Sequence, residues 1–251
     1  AGGDRPVADA DLRAGLRAAD AALFVVSAVD GVDGATRMLW EECAAVGMPR
    51  AVVVTKLDKE RADFDETVAV CQRLFGGGVL PLYLPMHKDD GTVGGLIGLL
   101  SQQVYDYSSG SRVERAPDAE HLPLIENSRG TLIEGIIAES EDETLMDRYL
   151  GGEDVDLDTL ITDLETAVAR GTFYPVLGSA SAPVGFGTAE LLEVIVRGFP
   201  SPLEHPLPAV TSPGGDPREP LACDPAGTLC AEVVKTTTDP YVGRISLVRV
   251  F

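Results

Sequence analysis

Apolar residues in this chain fall into short continuous runs, and these runs alternate with segments of helical spacing. Residues 21–29 (AALFVVSAV) and 50–58 (RAVVVTKLD) are rich in β-branched side chains, which is typical of parallel strands covered on both faces. Residues 79–86 (VLPLYLPM) predict a third strand, and residues 172–180 (TFYPVLGSA) predict a later one. The alternation predicts an α/β fold with a doubly wound sheet.

Segments of helical periodicity separate and follow the predicted strands. Leu12 and Leu16 share one face of an amphipathic helix predicted within residues 9–19. Residues 87–95 (HKDDGTVGG) predict a loop, and residues 95–107 fit either a strand or a helix. The other helices are predicted around Met38 to Cys43, at 62–75, within 124–170 and at 188–199.

A proline-rich connector divides the last part of the chain from the rest. Residues 200–220 (PSPLEHPLPAVTSPGGDPREP) contain too many prolines for a helix or a central strand. Residues 228–238 and 243–251 follow, and each alternates apolar and polar positions as a strand does. They predict the opening of an all-β domain.

The charge of the chain restricts the classes of partner. Its 251 residues include 40 acidic and 20 basic side chains, for a formal net charge of −20. Such a surface repels phosphate backbones, so we expect no direct binding to DNA. No apolar run reaches the length of a membrane span, so no membrane partner is expected. The four scattered cysteines indicate a reduced, cytoplasmic protein.

The strongest candidate for chemistry is the tetrapeptide Thr55-Lys56-Leu57-Asp58 at the end of a predicted strand. Ligands of open α/β sheets bind at the carboxyl ends of the strands. A carboxylate at Asp58 can accept hydrogen bonds from the ring N–H and the exocyclic amine of guanine, which adenine cannot supply. The stem of Lys56 can lie flat across the base. The alternative is that these residues are only the polar end of a buried strand.

A second candidate element is the turn Gly178-Ser179-Ala180, which ends the resumed strand. Its backbone N–H groups are predicted to reach the guanine carbonyl. The alternative is a turn of small residues that leads into a helix. Together, the two elements predict a guanine site formed by Thr55, Lys56, Leu57, Asp58, Ser179 and Ala180, with no catalytic residue and no metal ligand in this chain.

These segments resemble the translation-factor GTPases, and most closely elongation factor G. The resemblance begins with residues 19–64, continues through 132–150, 168–180 and 191–206, and ends with 233–251, in collinear order. It implies a P-loop-GTPase-like doubly wound sheet whose N-terminal part is missing, with an inserted α+β subdomain. The resemblance further implies the first strands of a β-barrel domain, GTP or GDP as ligand with Mg²⁺ in the intact protein, and the ribosome as partner.

The same resemblance implies domain boundaries and one departure from the family pattern. Residues 1–204 are expected to form a partial GTPase domain, with the inserted subdomain at about 87–171, and residues 205–251 a linker and the start of the β-barrel domain. Thr55 stands where most members have Asn. A hydroxyl can make only some of the contacts of an amide, so guanine selection through Asp58 is expected to survive with lower affinity.

Two family motifs are absent from the 251 residues. A phosphate-binding loop requires GxxxxGK[ST], and the sequence contains no Gly-Lys pair. The DxPGH element is also absent, and both ends of the sequence suggest a truncated chain. We therefore expect weak or no nucleotide binding and no GTP hydrolysis by this chain, so its status as an enzyme stays open. The alternatives are a non-catalytic GTPase-like binding module and a ribosome-protection protein of the same superfamily.

Overall fold

The structure is a computed structural model that describes residues 12, 14–204 and 207–251. In chain order its strands are β1 (Ala22–Ser27), β2 (Arg50–Thr55), β3 (Val79–Pro81), β4 (Tyr83–His87), β5 (Val93–Gly98), β6 (Val104–Asp106), β7 (Val113–Arg115), β8 (Tyr174–Gly178), β9 (Ala231–Asp239) and β10 (Gly243–Val250). Its helices are α1 (Gly34–Ala45), α2 (Phe64–Phe75), α3 (Leu122–Ile137), α4 (Leu145–Leu150), α5 (Leu157–Arg170) and α6 (Thr188–Gly198).

The described chain divides into two compact units. Residues 21–199 form one unit, and the described residues up to Asp20 form the other together with 200–251. Residues 14–18 are helical, while residues 9–11 and 13 of the helix predicted within 9–19 lie outside the described residues. None of the described helices is both long and apolar enough to cross a membrane.

A four-stranded parallel sheet in the order β1-β2-β8-β3 forms the centre of the larger unit, in agreement with the predicted α/β fold. Strand β2 is buried along most of its length, as its continuous apolar run predicts. Strand β1 is buried on one face only, because Leu23 and Val25 are 39% and 65% exposed. The prediction that residues 21–29 are covered on both faces is therefore wrong for the described chain.

The second sheet of this unit is antiparallel, in the order β4-β5-β6-β7. The single strand predicted at 79–86 is in fact β3 of the first sheet and β4 of the second. The chain passes between the sheets at Leu82, whose N–H donates to the Val176 carbonyl while its own carbonyl accepts from the Leu99 N–H. Apolar periodicity cannot reveal such a transfer, because both strands are equally apolar.

Two further expectations for this region change in the structure. The loop predicted at 87–95 ends early, because β5 begins at Val93. The ambiguous segment 95–107 contains strand residues of β5 and β6 and no helix. Gly94 and Gly95 permit this strand, since a Cβ on Gly95 would lie 2.5 Å from the Tyr105 carbonyl oxygen of β6.

Short polar residues begin three of the helices. The carboxylates of Asp33, Asp63 and Asp156 accept hydrogen bonds from backbone N–H groups in the first turns of α1, α2 and α5. Helix α5 ends at Gly171, which has the left-handed conformation that favours glycine (φ 70°). The helical region predicted within 124–170 is thus divided into three helices, whose apolar faces join the main core of the unit.

A buried cation fixes the amino end of β2. Arg50 is 3% exposed, and its guanidinium lies 4.5 Å from the ring centroid of Trp40 and 4.4 Å from that of Tyr174. It donates hydrogen bonds to the carbonyl oxygens of Met48 and Trp40 and to the Tyr174 hydroxyl. Burial lowers the pKa of Arg50. The three hydrogen bonds and the two aromatic rings nevertheless compensate the guanidinium for its lost hydration. They hold the start of β2 against α1 and β8.

The smaller unit contains the antiparallel hairpin of β9 and β10. The described residues of the predicted connector, 200–204 and 207–220, form no helix or extended strand, and residues 205–206 lie outside the described chain. The hairpin agrees with the two strands predicted from residues 228–238 and 243–251. The predicted domain boundaries remain predictions.

The exposed face of β1 generates a prediction about self-association. Replacing Val25 with Lys should lower the fraction of dimers or larger species, because a charge on an exposed edge strand opposes pairing with a second chain. Stability should change by no more than about 0.5 kcal/mol, since the side chain is 65% exposed. Light scattering and urea denaturation measure the two effects.

Val46 provides the matched control for this experiment. It is 61% exposed at the end of α1, so Val46→Lys adds the same charge away from the sheet edge. A wild-type chain that is monomeric at high concentration, or equal effects of Val25→Lys and Val46→Lys, would contradict the prediction.

Candidate nucleotide-base site

The candidate site lies where two adjacent parallel strands end. Strands β2 and β8 are paired in a register that places Val54 opposite Gly178. Residues 55–58 begin at the last residue of β2, and residues 179–181 follow β8. Because parallel strands point the same way, both segments lie at one edge of the sheet, where α/β proteins bind ligands.

Three hydrogen bonds connect the two segments. The Ser179 N–H donates to the Val54 carbonyl over 2.8 Å, and the Leu57 N–H donates to the Ser179 carbonyl over 3.4 Å. The Ser181 N–H donates to Asp58 Oδ1 over 3.3 Å. These bonds join Leu57 and Asp58 to the turn that follows β8, and the other predicted residues, Thr55, Lys56 and Ala180, adjoin the bonded residues in the chain.

The backbone amides of the turn are not equally available to a ligand. The N–H groups of Ser179 and Ser181 are occupied by the bonds to Val54 and Asp58. The Ala180 N–H makes no hydrogen bond within the described part of the chain. Of the amides of residues 179–181, the Ala180 N–H is therefore the one that is available for the predicted contact with a base carbonyl.

Asp58 has the electrostatic properties of a hydrogen-bond acceptor. Its side chain is 10% exposed, and Oδ2 lies 2.7 Å from the Lys59 ammonium. The hydrogen bond from Lys59, and to a smaller extent that from the Ser181 amide, holds the pKa of Asp58 below its ordinary value of 3.8, although burial acts in the opposite direction. The carboxylate is therefore ionised at neutral pH, as an acceptor of two N–H donors requires.

Thr55 and Lys56 connect the segment to β1. The Thr55 hydroxyl donates to the Val26 carbonyl over 3.2 Å, which fastens β2 to its neighbour. Lys56 has a left-handed backbone conformation (φ 63°), and its ammonium lies 2.6 Å from Asp30 Oδ2. The hydrogen bond from Lys56 also lowers the pKa of Asp30, which accepts a second bond from the Ser27 hydroxyl. Strained backbone of this kind is concentrated at functional sites.

Sequence reasoning missed several residues of this arrangement. Ser27 and Asp30 lie at the carboxyl end of β1, so the strand-end rule that located Asp58 could also have located them. Lys59 and Ser181 adjoin predicted residues, but their contacts with Asp58 depend on how two loops fold together. No pattern in the sequence predicts these contacts.

Gly187 allows the start of α6 to approach the site closely. It has φ 75°, and a Cβ atom on it would overlap the carbonyl oxygen of Gly178 at the end of β8. The adjoining Phe186 is 1% exposed, and Leu57 packs beside Gly178, where an added Cβ would lie 2.7 Å from Leu57 Cδ1. The segment 179–187 is consequently held at both of its ends.

One group of side chains in the described chain has the chemistry of metal ligands. Ligand atoms of Asp118, Glu120 and His121 lie within 4.8 Å of one another. Asp118 is already paired with Arg115 over 2.7 Å, and His121 Nδ1 accepts a bond from the Asp118 N–H. These partners account for Asp118 and for one nitrogen of His121 without an ion, and the predicted absence of a metal ligand remains a prediction.

The sequence of this chain is similar to a known protein family and to two described proteins. Residues 9–201 match the family model described as the elongation factor Tu GTP-binding domain. The chain is 61% identical over 241 residues to the elongation factor G-like proteins of two Mycobacterium tuberculosis strains, CDC 1551 / Oshkosh and ATCC 25618 / H37Rv. The alignment covers 96% of this chain and 33% of each relative.

A solved structure gives a similar result. A crystal structure from Thermus thermophilus matches with a TM-score of 0.75 and 32% identity, over 96% of this chain and 33% of that one. The chain thus spans about a third of the length of the relatives it matches.

The close approach at Gly187 generates a prediction about stability. Gly187→Ala should destabilise the chain by about 2–4 kcal/mol, because the new Cβ overlaps backbone that cannot move freely and φ is positive. Gly185 has a similar φ of 79° with no atom within 4 Å of an added Cβ, so Gly185→Ala should cost only about 1–2 kcal/mol. Urea denaturation of both variants measures the difference, and equal losses would show that the contact is unimportant.

Proposed function

This chain belongs to the elongation factor Tu GTP-binding domain family, and we propose on that basis that residues 55–58 and 179–180 hold the guanine base of GTP or GDP. The observation that carries the proposal is the junction of the two segments by the Ser181–Asp58 hydrogen bond. That bond places a largely buried, ionised carboxylate beside an amide that is free to donate. A strand end with no ligand role does not require either feature.

The donors and acceptors of the site are complementary to guanine. The Asp58 carboxylate accepts from the guanine ring N–H and the 2-amino group, and the Ala180 N–H donates to the 6-carbonyl oxygen. Adenine has an acceptor at N1, a C–H at C2 and an amino group at C6, so it would place an acceptor against the Asp58 carboxylate and a donor against the Ala180 N–H. An unpaired buried polar group costs about 1–3 kcal/mol, which is enough to select guanine.

Lys56 and Lys59 have different proposed roles. The stem of Lys56 covers the face of the base while its ammonium remains paired with Asp30. Lys59 occupies one oxygen of Asp58 and is 55% exposed, so its ammonium can return to water when a base binds. The N–H donors of guanine would replace the Lys59 bond at the same carboxylate, so the exchange leaves no oxygen of Asp58 unpaired.

Thr55 distinguishes this site from the commoner Asn variant implied by the family resemblance. Its hydroxyl donates to the Val26 carbonyl, so it stabilises the pairing of β1 with β2. A hydroxyl cannot also provide the second donor of an amide. We therefore propose that guanine selection is retained, with lower nucleotide affinity than an Asn at this position would give.

For the whole protein we propose the activity of a cytoplasmic, ribosome-associated, elongation factor G-like GTPase. The 61% identity to proteins of that name supports this assignment, and neither the family model nor these relatives favour a ribosome-protection protein. Within it, residues 1–204 would belong to the GTPase domain, with 87–171 inserted, and 205–251 would begin the next domain. The acidic surface, with a formal net charge of −20, argues against direct contact with DNA.

The contribution of these 251 residues is base recognition. They contain neither a GxxxxGK[ST] loop nor a DxPGH element, so we propose that phosphate contacts and GTP hydrolysis require residues outside them. Mg²⁺, when bound with the nucleotide, offsets the charge of the phosphate oxygens. No described residue is assigned to it here.

Replacing the Asp58 carboxylate with an amide tests the proposed function. In a chain whose phosphate-binding loop has been supplied from a longer relative, Asp58→Asn should weaken GDP binding by about tenfold or more. Binding of xanthosine diphosphate should strengthen, because the 2-oxo group of xanthine accepts the bond that an Asn amide donates. Calorimetric titration with the two nucleotides measures the change in preference.

Asp65→Asn is the control for this exchange, since Asp65 is an exposed carboxylate in the first turn of α2. It should leave both affinities unchanged. If Asp58→Asn also leaves the preference for guanine over xanthine unchanged, then residues 55–58 are only the end of a strand.

A second prediction concerns the 251-residue chain by itself. Base contacts without phosphate contacts should give a dissociation constant for GDP on the order of millimolar or weaker. Removing the phosphates should therefore matter little, so GDP and guanosine should bind with similar affinity. Micromolar binding of GDP to this chain by calorimetry would show that phosphate contacts are present within it.

A further inference from the structure

Glu190, in the first turn of α6, is the one carboxylate residue that is fully buried in the part of the chain that the structure describes. Its Oε2 accepts a hydrogen bond from the Tyr107 hydroxyl over 2.6 Å, and its Oε1 accepts one from Arg112 Nε over 2.9 Å. The Arg112 guanidinium in turn lies 4.1 Å from the ring centroid of Tyr105. The carboxylate is therefore hydrogen-bonded at both oxygens and screened from water.

These contacts connect two different parts of the larger unit. Tyr105 belongs to β6 of the antiparallel sheet, and Tyr107 and Arg112 lie in the link between β6 and β7. Glu190 lies on α6, the helix that follows segment 179–187. The network thus attaches the start of α6 to the antiparallel sheet rather than to the sheet that carries the site.

The same helix start is in contact with the site itself. Gly187 approaches the Gly178 carbonyl so closely that no Cβ fits between them. Phe186, directly before it, places its ring 5.6 Å from that of Tyr107. A displacement of Glu190 relative to Tyr107 would consequently move Gly187 and Phe186, and with them the end of the segment that contains Ala180.

Stability alone does not explain a network of this kind. Replacing a buried ion pair with apolar residues of similar volume is often neutral or stabilising, because burial costs both charges their hydration. Its directional hydrogen bonds instead restrict the position of the groups that they join. This favours a role for Glu190 in geometry.

We propose that Glu190 is a positioning residue for guanine recognition, which acts through Tyr107 and Arg112 to hold segment 179–187 in register with Asp58. The proposal rests on the proposed function for its ligand, but its structural part concerns the hydrogen bonds between the two segments. The link between β6 and β7 then determines how well the Ala180 amide and the Asp58 carboxylate face the same base.

The first test measures the junction directly in the 251-residue chain. Hydrogen exchange monitored by NMR reports the opening of the Leu57, Ser179 and Ser181 amides, whose bonds join the two segments. Glu190→Gln keeps the size of the side chain but removes its charge, and should speed their exchange by about tenfold. Removing one charge of a buried pair also lowers global stability, so the Val53 amide in β2 is the reference: the three junction amides should speed by about tenfold more than it does, whereas a purely general loss of stability would speed all four equally.

Two further variants distinguish a change in the position of segment 179–187 from a general loss of folding stability. Glu165→Gln removes the charge of the partly exposed α5 partner of Arg197, a pair that joins α6 to another element, and should leave all of these amides unchanged. Tyr107→Phe removes only the hydroxyl, so it provides the same test if Glu190→Gln does not fold. Junction amides that exchange at the wild-type rate in both Glu190→Gln and Tyr107→Phe would overturn the proposal.

The second test measures base preference in the same chains. NMR titration with guanosine and inosine monophosphates isolates the 2-amino group, which inosine lacks, and Glu190→Gln should reduce the preference for guanine. A wild-type chain without preference would overturn the proposed function but leave the exchange result standing as a test of the coupling. A wild-type preference that survives in Glu190→Gln would overturn the role of Glu190 in recognition.

Discussion

The parallel pairing of β2 with β8 is the constraint on which the candidate site depends. Asp58 and Ser181 are 123 positions apart, and they meet because the register places Val54 opposite Gly178. Parallel strands end at the same edge of a sheet, so each delivers its following loop to a common place. A shift of one residue would reverse the side-chain faces of β8 and separate the two segments. The position of the site therefore follows from the sheet, and its chemistry follows from the loops.

Two kinds of polar interaction serve different purposes around this edge. The ammonium groups of Lys56 and Lys59, which pair with Asp30 and Asp58, belong to side chains that are about half exposed, so these contacts can be exchanged for contacts with a ligand. Glu190 forms a buried network that cannot exchange with water at low cost. The lysine side chains of the proposed site can therefore change partners when a base binds. Glu190, which we propose as the positioning residue, keeps its partners. The proposed base site requires such a division, since a base must be both recognised and released.

Much of the fold could be predicted because local pattern and burial agree. The runs at 50–58 and 172–180 are central strands, and the family resemblance inferred from the sequence is confirmed. Predictions failed where tertiary contacts decide. Residues 79–86 divide between two sheets at Leu82, which periodicity cannot show, and β1 is exposed on one face although its residues are as apolar as those of β2. The strand β1 was predicted correctly but the exposure of one of its faces was not, and the one strand predicted at 79–86 is two strands in different sheets.

The sequence by itself determined which residue types stand at the two strand ends and in what order, and their complementarity to guanine is the basis of the proposed site. It predicted Asp58 and the turn at Ser179 and Ala180 as base-binding from strand-end position and family resemblance. The tertiary structure alone decided that Ala180, rather than Ser179, has the free amide, because the Ser179 N–H is used in the sheet. It also decided the contacts of Ser181 and Glu190, since hydrogen bonds between distant residues depend on register and packing, which no local pattern records.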